Sequence, residues 1–139
     1  MPAKGSAEWN GDLRTGTGTF TAGDTISGGY TFKSRFEDGP GSNPEQLIAA
    51  AHAACFSMAL SLYLGEAGMT AESIETTATV SLDPDPAGGF AVTSSHLQTT
   101  VKIPNADKAA FQKAVEATKI GCPISKLLKA TITMDARLI

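Results

Sequence analysis

The stretch Asn43-Pro44-Glu45-Gln46-Leu47-Ile48-Ala49-Ala50-Ala51-His52-Ala53-Ala54-Cys55-Phe56-Ser57-Met58-Ala59-Leu60-Ser61-Leu62-Tyr63-Leu64 decides the fold. Its start is well specified as a helix. Asn43 suits the N-cap, Pro44 the first helical position, and Glu45 the first turn, where negative charge meets the positive end of the dipole. The helix is predicted to run to about Leu64, with Gly65 and Gly68 as stop signals and room for Glu66 and Ala67 to extend the last turn. Leu47 to Leu64 carries no charge over 18 positions, the lower edge of a membrane span. Its flanks hold Glu37, Asp38, Glu45, Glu66, Glu72 and Glu75 with little nearby Lys or Arg, and its interior holds His52, Ser57, Ser61 and much Ala. The expectation is a buried helix of a soluble protein. Ala49, Ala53, Ser57 and Ser61 recur every fourth residue as a stripe on which another helix can pack, and Leu47, Phe56, Leu60 and Leu64 occupy the other sides. A helix apolar around its circumference needs cover on every side, which a second copy of the chain would supply, so a homodimer is expected.

Strands surround this helix. Asn10-Gly11 is a hairpin signal between Ala3 to Trp9 and Leu13 to Phe20, and Gly28-Gly29 opens a predicted strand over Tyr30 to Phe36. Asp38 to Asn43 is a loop. Ser73 to Leu82 and Phe90 to Ile103 alternate, are rich in Thr and Val, and form a second hairpin across Asp83 to Gly89. Helical periodicity returns over Ala106 to Ile120, with Ala110, Phe111, Ala114, Val115 and Thr118 on one face. Gly121 breaks it. Cys122 then caps a short helix that begins at Pro123 and has Ile124 to Lys129 as its body, and Thr131 to Leu138 closes the chain as a strand. Strands in runs, instead of alternating with helices, give an α+β fold class.

With 139 residues, 42% hydrophobic and 18% charged, the chain is expected to form one domain over 1–139, large enough to fold without a disulfide or metal staple. Eleven Lys and Arg against 14 Asp and Glu leave a net charge of −3, and the basic residues are scattered, the densest grouping being Lys126 and Lys129. Phosphate-backbone binding is therefore not expected, and no aromatic residues interleave with those lysines to stack bases. Met1 to Trp9 is polar and lacks the apolar run of a signal peptide, so the expected compartment is the cytosol, with no membrane partner. Thiols stay reduced there, which turns attention from a structural cystine to a redox, catalytic or metal role for Cys55 and Cys122.

Cys55 lies mid-helix in apolar surroundings that raise a thiol pKa above about 8.5. It is either a small core residue or a nucleophile that needs a cation brought to it. Cys122, at a helix start, is locally the easier thiolate or simply a capping residue before Pro123. His52 stands three residues before Cys55 on the same helix face. Three readings compete for it: the base of a thiol-imidazole nucleophile, a metal ligand with Cys55, Cys122 and His96, or a helix histidine whose polar end meets solvent or a carbonyl. Arg35, before the loop, can bring the positive charge that Cys55 needs. Glu45 lies ten residues before Cys55, about 15 Å along an unbroken helix. An Arg35 that serves both must span them, or the helix must break, or a second subunit must contribute one member.

Taken together, Ser34-Arg35-Phe36-Glu37, the Asn43 to Leu60 stretch and Gly121-Cys122-Pro123-Ile124-Ser125 resemble the OsmC/Ohr family. The likeness covers nearly the whole chain, from Glu8-Trp9-Asn10-Gly11 to the last strand, and the His52-containing helix looks more like OsmC proper than Ohr. The resemblance implies a thiol peroxidase that reduces organic hydroperoxides in preference to hydrogen peroxide. By the same resemblance Cys55 matches the peroxidatic cysteine and Cys122 the resolving one. Arg35 matches the arginine that holds thiolate and peroxide, and Glu45 the carboxylate that orients it. It further implies an intertwined homodimer with sites at the subunit interface, an OsmC-like fold of strand runs around a long buried central helix, and reduction by dihydrolipoyl groups. No metal or bound prosthetic group is expected. Phe36, Phe56, Met58 and Leu127 are candidates for an apolar substrate pocket, though core packing competes for them. The alternatives are a non-catalytic redox-sensing or small-molecule-binding dimer, and acyl transfer on Cys55 and His52.

Overall fold

The computed structural model describes residues 1–139, which fall into two compact units, Met1–Leu47 and Ile48–Ile139. In the first, strands β1 (Gly5–Asn10), β2 (Thr17–Ala22) and β3 (Ile26–Tyr30) form an antiparallel sheet in the order β1-β2-β3. The rings of Trp9 and Tyr30 lie 5.5 Å apart and those of Phe20 and Tyr30 6.2 Å. Gly18 makes this packing possible, because a Cβ there would meet Tyr30 at 2.5 Å and Trp9 at 2.7 Å.

Two expectations for this unit are corrected. Asn10-Gly11 does not form a two-residue hairpin turn: Asn10 pairs with Thr17, and residues 11–16 connect the strands. Asp12 organises that connection, its carboxylate accepting from the backbone N–H groups of Arg14 (2.9 Å) and Thr15 (2.8 Å). The strand predicted over Tyr30 to Phe36 stops at Tyr30, and Phe32–Phe36 is a short helix, α1. Its start is a capping box. Thr31 Oγ1 accepts from the Ser34 N–H while Ser34 Oγ accepts from the Thr31 N–H, two local bonds that outweigh the β-propensity of the aromatic residues.

Helix α2 (Pro44–Glu66) starts where predicted, with Asn43 Oδ1 accepting from the Gln46 N–H at 2.9 Å, and ends within the last turn expected for it. The second unit adds β4 (Ser73–Pro84), β5 (Phe90–Lys102), α3 (Lys108–Gly121), α4 (Pro123–Leu127) and β6 (Thr131–Leu138). Strands β4 and β5 form the predicted hairpin, with a bulge at Ser81/Leu82, and β6 joins β5 in parallel register after the crossover through α3 and α4. Asp107 caps α3 by accepting from the N–H groups of Ala109 and Ala110. Helix α4 ends at Leu127, short of the predicted Lys129.

The core of this unit gathers Phe56, Leu60 and Leu64 of α2, Leu97 and Val101 of β5, and Phe111 and Val115 of α3. His52, Phe56, Leu60 and Leu64 recur every fourth residue and form the one fully buried stripe of α2. Met58 and Leu62 are 78% and 61% exposed, so a single chain buries the helix on one side only. The small-residue stripe meets a sheet instead of a helix at Ser57, whose hydroxyl donates to Thr76 Oγ1 on β4 at 2.9 Å. Phe56→Ala is expected to cost about 3–5 kcal/mol of unfolding free energy, and Asp107→Ala about 1 kcal/mol. Urea titration followed by far-ultraviolet circular dichroism checks the ordering.

Candidate active site

Cys55 and Cys122 are 67 residues apart in sequence and touch in space: the Cys122 thiol donates to Cys55 Sγ at 2.9 Å. Helix α2 supplies Cys55, beside Phe56 of the buried stripe. The turn between α3 and α4 supplies Cys122, which is the residue after α3 and the N-cap of α4. Both are free thiols, Cys122 fully buried and Cys55 partly exposed.

Burial pushes the Cys55 thiol above its ordinary pKa, and the hydrogen bond and charge of Cys122 push the same way. The Ile124 backbone N–H, from the first turn of α4, opposes them by stabilising the thiolate without reversing the shift. On these terms Cys55 is a protonated thiol at neutral pH that needs a cation to become a nucleophile.

Arg35 and Glu45 form a forked ion pair, with Arg35 Nη2 2.7 Å from Glu45 Oε1 and Nε bonding both carboxylate oxygens at 3.2 and 3.3 Å. Local hydrogen bonding builds it. Ser34 Oγ donates to the Ser42 carbonyl at 2.7 Å and Asn43 Nδ2 to the Ser34 carbonyl at 2.9 Å, which draws residues 37–43 back over α1 and sets the start of α2 beside Arg35. Gly39 permits the approach, because a Cβ there would lie 2.7 Å from that of Lys33. The guanidinium also sits 5.4 Å from the Phe36 ring centroid. A two-point carboxylate fixes the plane of the guanidinium and leaves its remaining donors for an anion.

A cavity of about 280 Å³ lies beside Arg35, lined by Trp9, Leu13, Tyr30, Thr31, Phe32, Arg35 and Phe36. Of the four residues named for an apolar pocket, Phe36 lines this cavity, Phe56 is fully buried in the core, and Met58 and Leu127 are 78% and 74% exposed. Trp9, Leu13, Tyr30 and Phe32 carry no such signal in the sequence, because they come together only through the sheet register and the cap of α1.

His52 meets neither solvent nor a carbonyl. It is fully buried, with Nδ1 2.7 Å from Ser95 Oγ and Nε2 2.8 Å from Ser125 Oγ, and burial pushes its pKa down. With both ring nitrogens bonded to hydroxyls, it is placed neither as the base of Cys55 nor as a metal ligand. His96 is elsewhere on the sheet, bonded to Thr133 and Asp135. No three His, Cys, Asp or Glu residues gather to hold a metal.

Residues 37–137 match the family model described as OsmC-like protein. The chain is 52% identical to peroxiredoxin OsmC of Escherichia coli over 137 residues, 97% of this chain and 95% of that protein. It is 34% identical to an organic hydroperoxide resistance protein-like chain of Staphylococcus aureus, over 70% of this chain and 69% of that one. Among solved structures, the organic hydroperoxide resistance protein OhrB of Bacillus subtilis superposes with a TM-score of 0.70 at 27% identity, covering 100% of this chain and 98% of that one. An OsmC-like protein of Mycoplasma pneumoniae gives 0.78 at 17% identity over 100% and 98%, which speaks to the fold. With two thiols in contact and relatives of this kind along its whole length, the chain belongs to the OsmC-like family and is a cysteine-based peroxidase.

Proposed function

We propose that residues 1–139 act as a single peroxidase domain that reduces organic hydroperoxides, with Cys55 as the attacking thiol and Cys122 as the resolving one. The 2.9 Å contact between the two sulfurs carries this reading, since the second thiol is in place before the first is oxidised. The Cys55 thiolate attacks the terminal peroxide oxygen, the O–O bond breaks, and the alkoxide takes a proton and leaves as alcohol. Cys55 sulfur, oxidised by two electrons, is then a sulfenic acid. Cys122 attacks that sulfur, the S–S bond forms, and the S–O bond breaks with release of water. An external dithiol of the dihydrolipoyl type returns two electrons by thiol-disulfide exchange, so the cycle needs no bound prosthetic group.

Arg35 supplies the charge that the buried thiol needs, and Glu45 aims it. Helix α2 is unbroken from Pro44 to Glu66, so Glu45 and Cys55 are separated by about 15 Å of helical rise. A homodimer in which one protomer brings Arg35 and Glu45 to the thiols of its partner removes this separation. The exposed Met58 and Leu62 on α2 give such a dimer an apolar surface to bury. The cavity beside Arg35, walled by aromatic rings, suits the alkyl part of an organic hydroperoxide. Cytoplasmic residence agrees with reduced thiols and a low-molecular-weight or protein-bound dithiol as reductant.

Intact mass measured seconds after one equivalent of cumene hydroperoxide is expected to fall by two hydrogens per chain and to recover with dihydrolipoamide. Cys55→Ser protein is expected to consume no peroxide, and Cys122→Ser to consume one equivalent and stop as a sulfenic acid trapped by dimedone; the reverse pattern would exchange the two roles. Arg35→Ala is expected to slow Cys55 oxidation by about 100-fold. Without the guanidinium the thiol pKa stays high, so the residual rate should climb with each unit between pH 7 and 9, where the native rate is flatter; stopped-flow oxidation against pH reads both. Light scattering at micromolar concentration is expected to give a dimer mass, and Met58→Glu with Leu62→Glu a monomer mass.

A further inference from the structure

Helix α4 has five residues, too few to be stable alone, so tertiary contacts must hold it. It carries Cys122 at its cap and exposes Leu127 to solvent. Three hydrogen bonds tie this segment to side chains of α2: Cys122 Sγ to Cys55 Sγ, the Ile124 N–H to Cys55 Sγ, and Ser125 Oγ to His52 Nε2 at 2.8 Å. Three residues before Cys55 on α2 is His52, and three residues after Cys122 is Ser125. The two pairs are thus successive rungs between α4 and α2 running in opposite directions, a sulfur rung and an imidazole rung. The imidazole is anchored in turn to β5, through Nδ1 and Ser95 Oγ at 2.7 Å. His52 and Ser95 are fully buried and Ser125 nearly so. A neutral imidazole donates from one nitrogen and accepts at the other, so one serine accepts and the other donates, and no ring valence is left open.

We propose that His52, acting through Ser125, is a positioning residue for closure of the Cys55–Cys122 disulfide. The inference rests on the reading of these two cysteines as a redox pair. The sulfur rung cannot do this positioning by itself, because it is the rung that changes. Once Cys55 carries a sulfenic oxygen, the S–H···S contact is lost and the Ile124 contact to the same sulfur is disturbed, whereas the Ser125–His52 bond does not involve the reacting sulfur. Bonding the sulfurs shortens their separation by less than about 1 Å, a closure that the imidazole rung accommodates while intact. Preorganisation of this kind raises the effective concentration of Cys122 at Cys55, in the same way that a matched linker does.

The test equilibrates the protein in buffers of reduced and oxidised dithiothreitol and reads the disulfide fraction by alkylation and mass. Two thiols lose two electrons and two protons, and oxidised dithiothreitol takes them up. No hydroperoxide is present, so a failure of the peroxidase reading leaves this measurement unchanged. Ser125→Ala is expected to weaken disulfide formation about tenfold, or about 30 mV for a two-electron couple. Ser95→Ala removes a buried bond from the other side of the same ring and is expected to lower Tm by a similar amount while leaving the equilibrium close to native. His52→Asn keeps an amide at the Ser95 side and should behave as Ser125→Ala does; His52→Gln reaches Ser125 and should behave as Ser95→Ala does. This second pair decides the matter if an alanine variant does not fold. A shift in Ser125→Ala no larger than in Ser95→Ala would overturn the positioning role and leave the serine–histidine–serine set as a stability element. Native protein that forms no disulfide in the most oxidising buffer would overturn both this inference and the redox pair on which it rests.

Discussion

The burial of Phe56 fixes the sulfur beside it. His52, Phe56, Leu60 and Leu64 make one stripe, and once that stripe is seated on β5 and α3 the rotation of α2 is set. Cys55, one position away, then lies at the edge of the buried face, partly exposed and within reach of the turn that ends α3. An apolar contact worth several kcal/mol therefore positions a reactive group that contributes little to stability itself. The same contact leaves Met58 and Leu62 uncovered, so the exposed apolar face of α2 and the placement of the thiol arise from a single constraint.

That placement has an electrostatic cost. A thiol at the edge of a core resists ionisation, and a second thiol against it adds to the resistance. The Ile124 N–H opposes this without reversing it. Arg35, its orientation set by Glu45 and by the bonds among Thr31, Ser34, Ser42 and Asn43, is the cation proposed to offset this resistance. The guanidinium is held by short-range chemistry within forty-seven residues of chain, and the thiols by long-range packing in the rest.

Buried polarity in the second unit is spent on connection. His52 is neutral and satisfied on both sides, and its partners come from β5 and α4, so one side chain joins three elements. A phenylalanine would fill similar space and join none. Ser57, Thr76 and Thr99 repeat the pattern between α2, β4 and β5.

The sequence by itself determined the α+β order, the start of α2, the second hairpin, the helical face of α3, the cap at Cys122 and the final strand, because each rests on a periodicity or a terminator within a few neighbouring residues. Scarcity in the sequence directs attention to Cys55 and Cys122, the chain's two cysteines, whereas Arg35 and Glu45, among 11 basic and 14 acidic residues, are nominated by the family likeness. Tyr30 to Phe36 divides into a strand end and a helix through the local Thr31–Ser34 capping box, which the β-propensity of the aromatic residues conceals in the sequence, and the return of Ser42 and Asn43 onto Ser34 is left to tertiary structure. Tertiary structure alone decided what His52 does. Ser95 and Ser125 lie 43 and 73 residues away, and two serines carry no signal in sequence until packing brings them to the two nitrogens of one ring.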